Sequence, residues 1–545
     1  MEFSALDYGV FFGYIIFIVG LGLWVSRDKK GHQKDAKDYF LAGKTLPWWA
    51  IGASLIAANI SAEQFIGMSG SGFAAGLAIA TYEWMAALTL IIVGKYFLPI
   101  FIEKQIYTIP EFVEVRFSTN LKTILAVFWV ALFVFVNLTS VLFLGGKAID
   151  TIIGNGDGGL IIYAILGLAF IAAAYSLYGG LSAVAWTDVV QVALLIIGGL
   201  ITTVIALDSV TPAGGIMNGL SHVYNVAGDK FQMILTKDNP EFSRLPGIAV
   251  LVGGMWVANL YYWGFNQYII QRTLAAKSLQ EAQRGIAFAA FLKLIIPLIV
   301  VIPGIVAYVL YAQPEGTAVI EGVQEAFNKV GGGINYDKSY PWLISVFIPV
   351  GLKGLVLAAL TAAIVSSVAS MLNSTSTIFT MDIFKPYINK NATEKQIVTV
   401  GRITAGVALI IAVLLAPVMG NIDQMFQYIQ EYTGLVSPGI LAVFLMGLFW
   451  KKSNNTGAIV GVILSIPIAW LLKIPVLDLP FLDQMFYTML ITMAIIAGVS
   501  MSTSEGDDDS KAISLPSKMF KTDSVFNIAS YGILIVLAIL YAIFW

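Results

Sequence analysis

The 545-residue chain has no cysteine and only two histidines. The first absence excludes disulfides, thiolate metal sites and thiol nucleophiles. The second leaves too little imidazole for a His-based catalytic or metal centre. Charge is also scarce. Asp, Glu, Lys and Arg make up 12% of the residues, against about 25% in an ordinary soluble domain. Apolar residues reach 58%, and the mean hydropathy is +0.83. So few charges cannot cover a soluble surface of this size. The balance of 31 Lys and Arg against 33 Asp and Glu leaves no basic excess for nucleic acid. Gly43-Lys44-Thr45 lacks the upstream glycine of a phosphate loop, and no other nucleotide motif is found. The sequence therefore reads as a polytopic membrane protein and not as an enzyme, with its function carried by the few polar residues inside the membrane.

A helix needs about 20 mostly apolar residues to cross a bilayer. Fourteen stretches qualify: 7–26, 46–72, 76–99, 121–150, 158–178, 185–206, 248–271, 283–311, 342–384, 396–418, 424–449, 455–473, 482–502 and 524–544. Membrane-barrel alternation is absent, so the fold class is an all-α bundle. The 342–384 stretch is too long for one crossing and is expected to hold a short surface helix first. The first segment has no small-residue cleavage site and reads as a retained helix. With both termini outside, basic residues favour the inner loops by roughly three to one, as the positive-inside rule requires. The inner set includes Arg27, Arg116, Lys122, Arg272 and Lys385. The loops 207–247 and 312–341 then lie outside. The acidic run Asp507–Asp509 reads as a solvated inner linker, and the sequons at Asn137 and Asn391 as chance matches.

Ionisable groups at membrane depth cost roughly 2.5–3.5 kcal/mol each on insertion scales and mark functional positions. Glu63, Glu83, Asp188 and Lys293 are the clearest. Around Glu63, the second segment collects Asn59, Ser61 and Gln64 among alanines, the pattern of a helix that breaks at mid-membrane and frees its carbonyls. The seventh segment carries Asn259, Tyr262, Trp263 and Asn266 at i, i+3, i+4 and i+7, one helix face able to bond hydroxyls and stack on an apolar ring; the alternative, an interfacial aromatic belt, accounts for Tyr261, Tyr262 and Trp263 but not for Asn259. The ninth carries Ser366, Ser370, Asn373, Ser374 and Thr377 as a hydroxyl stripe suited to Na⁺ or to helix packing. The eleventh opens with Gln427, Gln430 and Glu431 on one side, facing a vestibule or the membrane surface. Segments 2–6 and 7–11 form two groups of five, each opening with an interrupted polar helix. Because five is odd, the groups would enter from opposite sides, the signature of an inverted repeat.

Asp38–Lys44, Ser54–Gly67, Tyr178–Asp188, Gln271-Arg272 and Ala362–Asp382, taken in order, resemble the sodium/solute symporter family over nearly the whole chain. Tyr82–Met85, Trp256–Gln271 and Phe426–Pro438 are most similar to its bacterial sugar-transporting members. The resemblance implies a leucine-transporter fold, a five-plus-five inverted repeat in a bacterial inner membrane. The parts would be an extra helix and inner loop (1–45), the first repeat (46–206), an outer loop (207–247), the second repeat (248–449) and three further helices (450–545).

It also implies roles. Gln64, Glu83, Asn259 and Lys293 would bond sugar hydroxyls, with Gln430 a further polar contact. Tyr262 would stack on the sugar and close it from the cytoplasm, with Asn59 and Trp263 nearby. Met68, Tyr82 and Phe426 would form the outer gate. The coupling ion, Na⁺, would take the carbonyls of Ala57, Ile60 and Ala363 and the hydroxyls of Ser366 and Ser367, with Asp188 on the cation path. Ala86 departs from the pattern, which leads to a serine there. The expected activity is Na⁺-coupled import of a hexose, galactose or glucose. The alternatives are a Na⁺ symporter for proline, sialic acid or an anion, and a sugar sensor or Na⁺ channel on the same fold. The expected partners are the sugar, Na⁺ and membrane lipid.

Overall fold

Long apolar runs without strand alternation can satisfy their backbone groups in lipid only as helices, and that is how this chain folds. The computed structural model describes residues 3–27, 34–154, 156–329, 332–421, 425–474, 477, 479–503 and 511–545. Two isolated bridges are the only strand-like pairings among the described residues. Eleven helices there are long and apolar enough to cross a membrane: Ala5–Val25, Glu63–Glu103, Thr119–Ile153, Ile161–Ser209, Leu279–Ala312, Leu352–Ile388, Glu394–Gly420, Met425–Phe449, Asn455–Leu472, Phe481–Ser502 and Ser524–Ile543.

One joined pair of stretches and two broken ones explain why eleven helices stand where fourteen segments were read. The spans 158–178 and 185–206 are joined in the 49-residue Ile161–Ser209. At 1.5 Å per residue this is about 74 Å, more than twice the ~30 Å of a hydrocarbon core. Its continuity is formal, because Gly180 has φ +62° and ψ −152° and turns the chain. A Cβ there would lie 2.3 Å from the carbonyl oxygen of Tyr39, so only glycine fits. The spans 46–72 and 248–271 are broken. Trp48–Asn59 stops at Ile60 (φ −78°, ψ 101°) and resumes as the π-helical Glu63–Met68 and then Ser69–Ala75. Ala249–Val252, Gly254–Leu260 and the π-helical Tyr261–Phe265 lead to Asn266 (φ −85°, ψ 121°), beyond which runs Gln267–Leu274.

The two broken helices run in opposite directions. Leu46, just before the first, donates its N–H to Ala275 O at 3.1 Å and accepts from Lys277 N at 3.2 Å, just after the second. At the other end of the bundle, Ala318 N–H donates to Val210 O at 2.9 Å and Met233 N–H to Phe544 O at 2.7 Å. Asp7 Oδ1 accepts from the N–H groups of Gly351 (2.9 Å) and Gly354 (2.8 Å). The first helix start, the last helix end and both long loops therefore share one side.

Several sequence expectations need correction. The short helix before the ninth crossing, Ser339–Phe347, is not a surface helix: Tyr340, Trp342, Leu343 and Ile344 are buried. Tyr261 is not in an interfacial belt but fully buried, its hydroxyl accepting from Trp129 Nε1 at 3.0 Å. Arg116, Lys122 and Arg272, counted as inner-loop charges, are buried. Arg116 reaches the carbonyls of Gly447 (2.9 Å), Lys451 (3.1 Å) and Ser453 (2.7 Å), at the end of Met425–Phe449. It supplies donors to carbonyls that a helix C-terminus leaves open. A net-charge reading of loops cannot see such a cap. Asn137 lies within a helix as expected, and Asp507–Asp509 lies outside the described residues.

Candidate functional site

Both broken helices line one cavity of about 50 Å³. Its wall includes Asn59, Glu63 and Gln64 from the first broken helix and Asn259, Tyr262 and Trp263 from the second. Tyr82, Glu83, Ala86, Lys293, Phe426 and Gln430 complete the ring, with Thr433, Ser437 and Met485, which the sequence reading missed. A water needs roughly 10–15 Å³ of such space, so a ring-sized ligand enters only if lining side chains move.

Lys293 organises the polar side of the cavity. Its Nζ donates to Glu83 Oε2 and to Asn59 Oδ1 and lies 5.0 Å from the Trp263 ring centroid. Asn59 Nδ2 in turn donates to the Tyr262 hydroxyl at 2.9 Å, which shares a hydrogen bond of 2.5 Å with the Tyr268 hydroxyl. A cation over an aromatic face and against a carboxylate is stabilised by both. Gln64 Oε1 accepts from Ser61 N–H at 2.9 Å, and no hydrogen bond from its Nε2 occurs among the described residues. Asn259 Nδ2 donates to Met255 O at 3.2 Å, which leaves the Asn259 carbonyl as the acceptor toward the cavity. The wall thus offers donors, acceptors and the Tyr262–Trp263 aromatic pair, with ring centroids 5.1 Å apart.

Tyr82 and Phe426 meet edge to face at 5.0 Å between centroids. Phe426 packs directly on the π-turn: a Cβ on Gly67 would lie 2.8 Å from Phe426 Cβ. Met68 is buried in that turn but does not line the cavity. The four-residue face expected on the seventh segment is interrupted. Asn259, Tyr262 and Trp263 reach the cavity, whereas Asn266 sits in the break and does not. On the eleventh segment Gln430 lines the cavity, while Glu431 turns to Lys473 at 2.5 Å.

The candidate cation ligands lie at the end of Trp48–Asn59. A helix end leaves its last carbonyls without intrahelical donors, and the last turn here includes Ala57, beside Ile60 in the break. Ser367 Oγ donates to the Ala58 carbonyl at 2.9 Å, which brings helix Leu352–Ile378 against this turn. Ala57, Ile60, Ala363, Ser366 and Ser367 are all fully buried. Carbonyl and hydroxyl oxygens are the donors a hard monovalent cation takes. Ser366 Oγ, however, donates to Asp188 Oδ1 at 2.5 Å. Asp188 Oδ2 accepts from Ser54 Oγ at 2.5 Å and lies 3.4 Å from Arg272 Nη2.

Arg272 is the partner that the sequence reading of Asp188 missed. Its Nε donates to Ser54 Oγ at 2.7 Å, and its other nitrogens reach the Tyr268 carbonyl and Ser370 Oγ. Gln271 beside it bonds Ser374 (2.8 Å) and Thr377 (3.0 Å). Much of the serine stripe on Leu352–Ile378 thus holds Gln267–Leu274, the second half of the second broken helix. The available signal was the Gln271-Arg272 pair seven and more residues after Gly264, opposite a stripe with no other partner in sequence.

The sodium:solute symporter family model matches residues 39–465. The chain is similar to a sodium/glucose cotransporter of Vibrio parahaemolyticus, 64% identical over 542 residues that cover 99% of this chain and 98% of that protein. It is 35% identical to the human sodium/myo-inositol cotransporter 2 over 84% of this chain and 68% of that protein. Mouse sodium/glucose cotransporter 1 is 33% identical over 85% and 70%. A Na⁺-coupled sialic acid symporter solved in a substrate-bound outward-open state matches with a TM-score of 0.76 at 24% identity, covering 92% of this chain and 98% of that one; the two share a fold. The chain is a multi-pass membrane transporter and belongs to the sodium:solute symporter family.

Proposed function

We propose that the protein couples Na⁺ entry to the uptake of a hexose, galactose or glucose, across a bacterial inner membrane. The observation that carries this reading is the cavity between the two helix breaks, where Lys293, Glu83 and Asn59 form one polar cluster beside the Tyr262–Trp263 pair. A sugar has hydroxyls on its edge and apolar C–H faces, and needs both kinds of wall. The name of the 64%-identical relative agrees.

In this reading Gln64, Glu83, Asn259, Lys293 and Gln430 bond the hydroxyls. Tyr262 stacks on the ring, with Asn59 and Trp263 holding it. Met68, Tyr82 and Phe426 close the outer side. Na⁺ takes Ala57, Ile60, Ala363, Ser366 and Ser367, and Asp188 lies on its exit path. None of those five ligands is a carboxylate, which suits an ion that must be released every cycle. One charge moving inward gains about 2.3 kcal/mol per 100 mV, and the Na⁺ concentration gradient adds to it.

The topology follows the same reading. The eleven long helices, the turn at Gly180 and the two broken helices support a reading of fourteen crossings. The opposed directions of the broken helices fit two repeats, 46–206 and 248–449, preceded by 1–45, separated by the 207–247 loop and followed by 450–545. Both termini lie outside, on the side of the two long loops. Counterflow of labelled hexose in proteoliposomes tests the function: exchange that requires Na⁺ is expected, and exchange indifferent to Na⁺ would refute coupling.

A further inference from the structure

The cavity wall contains three ionisable side chains, two acidic and one basic. Lys293 is committed to Glu83 and Asn59. Glu63 is left over. It opens the π-helical turn just beyond the break at Ile60, is 8% exposed, and lines the cavity. Its backbone N–H donates to Ser61 Oγ at 3.0 Å, but no hydrogen bond or ion pair to its carboxylate occurs among the described residues. Its neighbour Gln64, by contrast, is held by Ser61.

We infer that Glu63 sets the charge class of the substrate, admitting neutral and cationic amino hexoses and excluding hexuronates. The inference rests on the hexose-transport reading above. A buried carboxylate without a protein donor takes its hydrogen bond from whatever fills the cavity. A hydroxyl can supply that bond; an ammonium supplies it with an opposite charge. A substrate carboxylate meets repulsion that a water-poor wall does little to screen, and Lys293 cannot answer it without leaving Glu83. Specificity of this kind is a penalty built against the wrong ligand as much as a gain for the right one.

The test uses the full-length protein in proteoliposomes with a Na⁺ gradient. Galactosamine and galacturonate compete with labelled galactose, or their glucose counterparts if glucose is the substrate. In the native protein the amino hexose competes and the hexuronate does not. In Glu63→Gln the amino hexose loses about tenfold in potency relative to the neutral hexose, the order of effect of one opposed charge at close range, and the hexuronate gains. Glu63→Asp keeps the native ranking. Unchanged competitor ratios in Glu63→Gln overturn the inference. If both variants lose hexose uptake, the native protein decides alone: a hexuronate that competes as well as the amino hexose overturns the inference, and the opposite ranking upholds it. Absence of Na⁺-driven hexose uptake in the native protein is a separate result, which refutes the transport reading on which the inference rests.

Discussion

Two buried ion pairs lie in the middle of this bundle, built from similar parts and placed differently. Arg272 and Asp188 are both fully buried, and Ser54, Ser366, Ser370 and the Tyr268 carbonyl surround them with bonds. Lys293 and Glu83 are nearly as buried, but one side of their cluster is a cavity wall. The first pair spends its hydrogen-bonding capacity on the protein and ties Gln267–Leu274, the second half of the second broken helix, to Trp48–Asn59 and Leu352–Ile378. The second holds its groups where a ligand can replace one partner with another. Burial and charge alone therefore do not separate scaffold from site; what separates them is whether a polar group faces space.

The largest effect that can break this comparison is loss of Arg272. Arg272→Ala leaves Asp188 buried without its cation, a change that typically costs about 3–5 kcal/mol. The amount of folded protein recovered from membranes in mild detergent should fall severely. Replacing both partners by apolar residues should restore much of that yield, though not transport, since no charge is then stranded. Recovery of Arg272→Ala at the native level would mean that this pair is not the structural one. Next in size, Lys293→Ala and Glu83→Gln should abolish hexose uptake while protein continues to insert and fold, because the cavity lets water meet the remaining partner. Near-native uptake in both variants would remove the cavity pair from the site.

The sequence told much of this, and its errors share one cause. Helix positions, the interrupted helices at Asn59–Glu63 and Gly253–Asn266, and most of the cavity wall follow from composition and spacing within single segments, because a polar residue costs the same wherever its helix packs. What failed was partnership between segments. Arg116 and Arg272 read as loop cations and are a helix cap and the counter-ion of Asp188. Tyr261 read as a belt residue and bonds Trp129. Asn266 read as part of a face, yet the helix breaks at that residue. The first three depend on contacts far apart in sequence, which no periodicity encodes.

Ser366 and Ser367 sharpen the comparison because they stand between the two regions. Among the described residues Ser367 Oγ donates to the Ala58 carbonyl, whereas Ser366 Oγ donates to Asp188 Oδ1. Ser367→Ala should raise the Na⁺ needed for half-maximal uptake about tenfold, the value of a lost hydrogen-bonding group to a charge, with little change in folded yield. Ser366→Ala should raise it similarly and lower the yield as well. Native Na⁺ dependence in both would move the cation away from these hydroxyls, toward Asp188.

The smallest effect lies at Ala86, where the cavity wall has a methyl group and the family resemblance leads to a serine. Adding a hydroxyl inside the Arg272–Asp188 cluster would crowd side chains that are fully buried, with no cavity to take it up. At Ala86 it would not, since the side chain borders space that a ligand hydroxyl or water can reach. Ala86→Ser should therefore fold like the native protein. It should lower the hexose concentration for half-maximal uptake by about two- to tenfold, the range of one net hydrogen bond, and by different factors for galactose and glucose if the added hydroxyl meets the one carbon at which those sugars differ. Equal factors for the two sugars would place the new contact elsewhere on the ring. A loss of folded protein would show that the wall at Ala86 is closed packing, and that the cavity differs less from the sealed pair than its lining suggests.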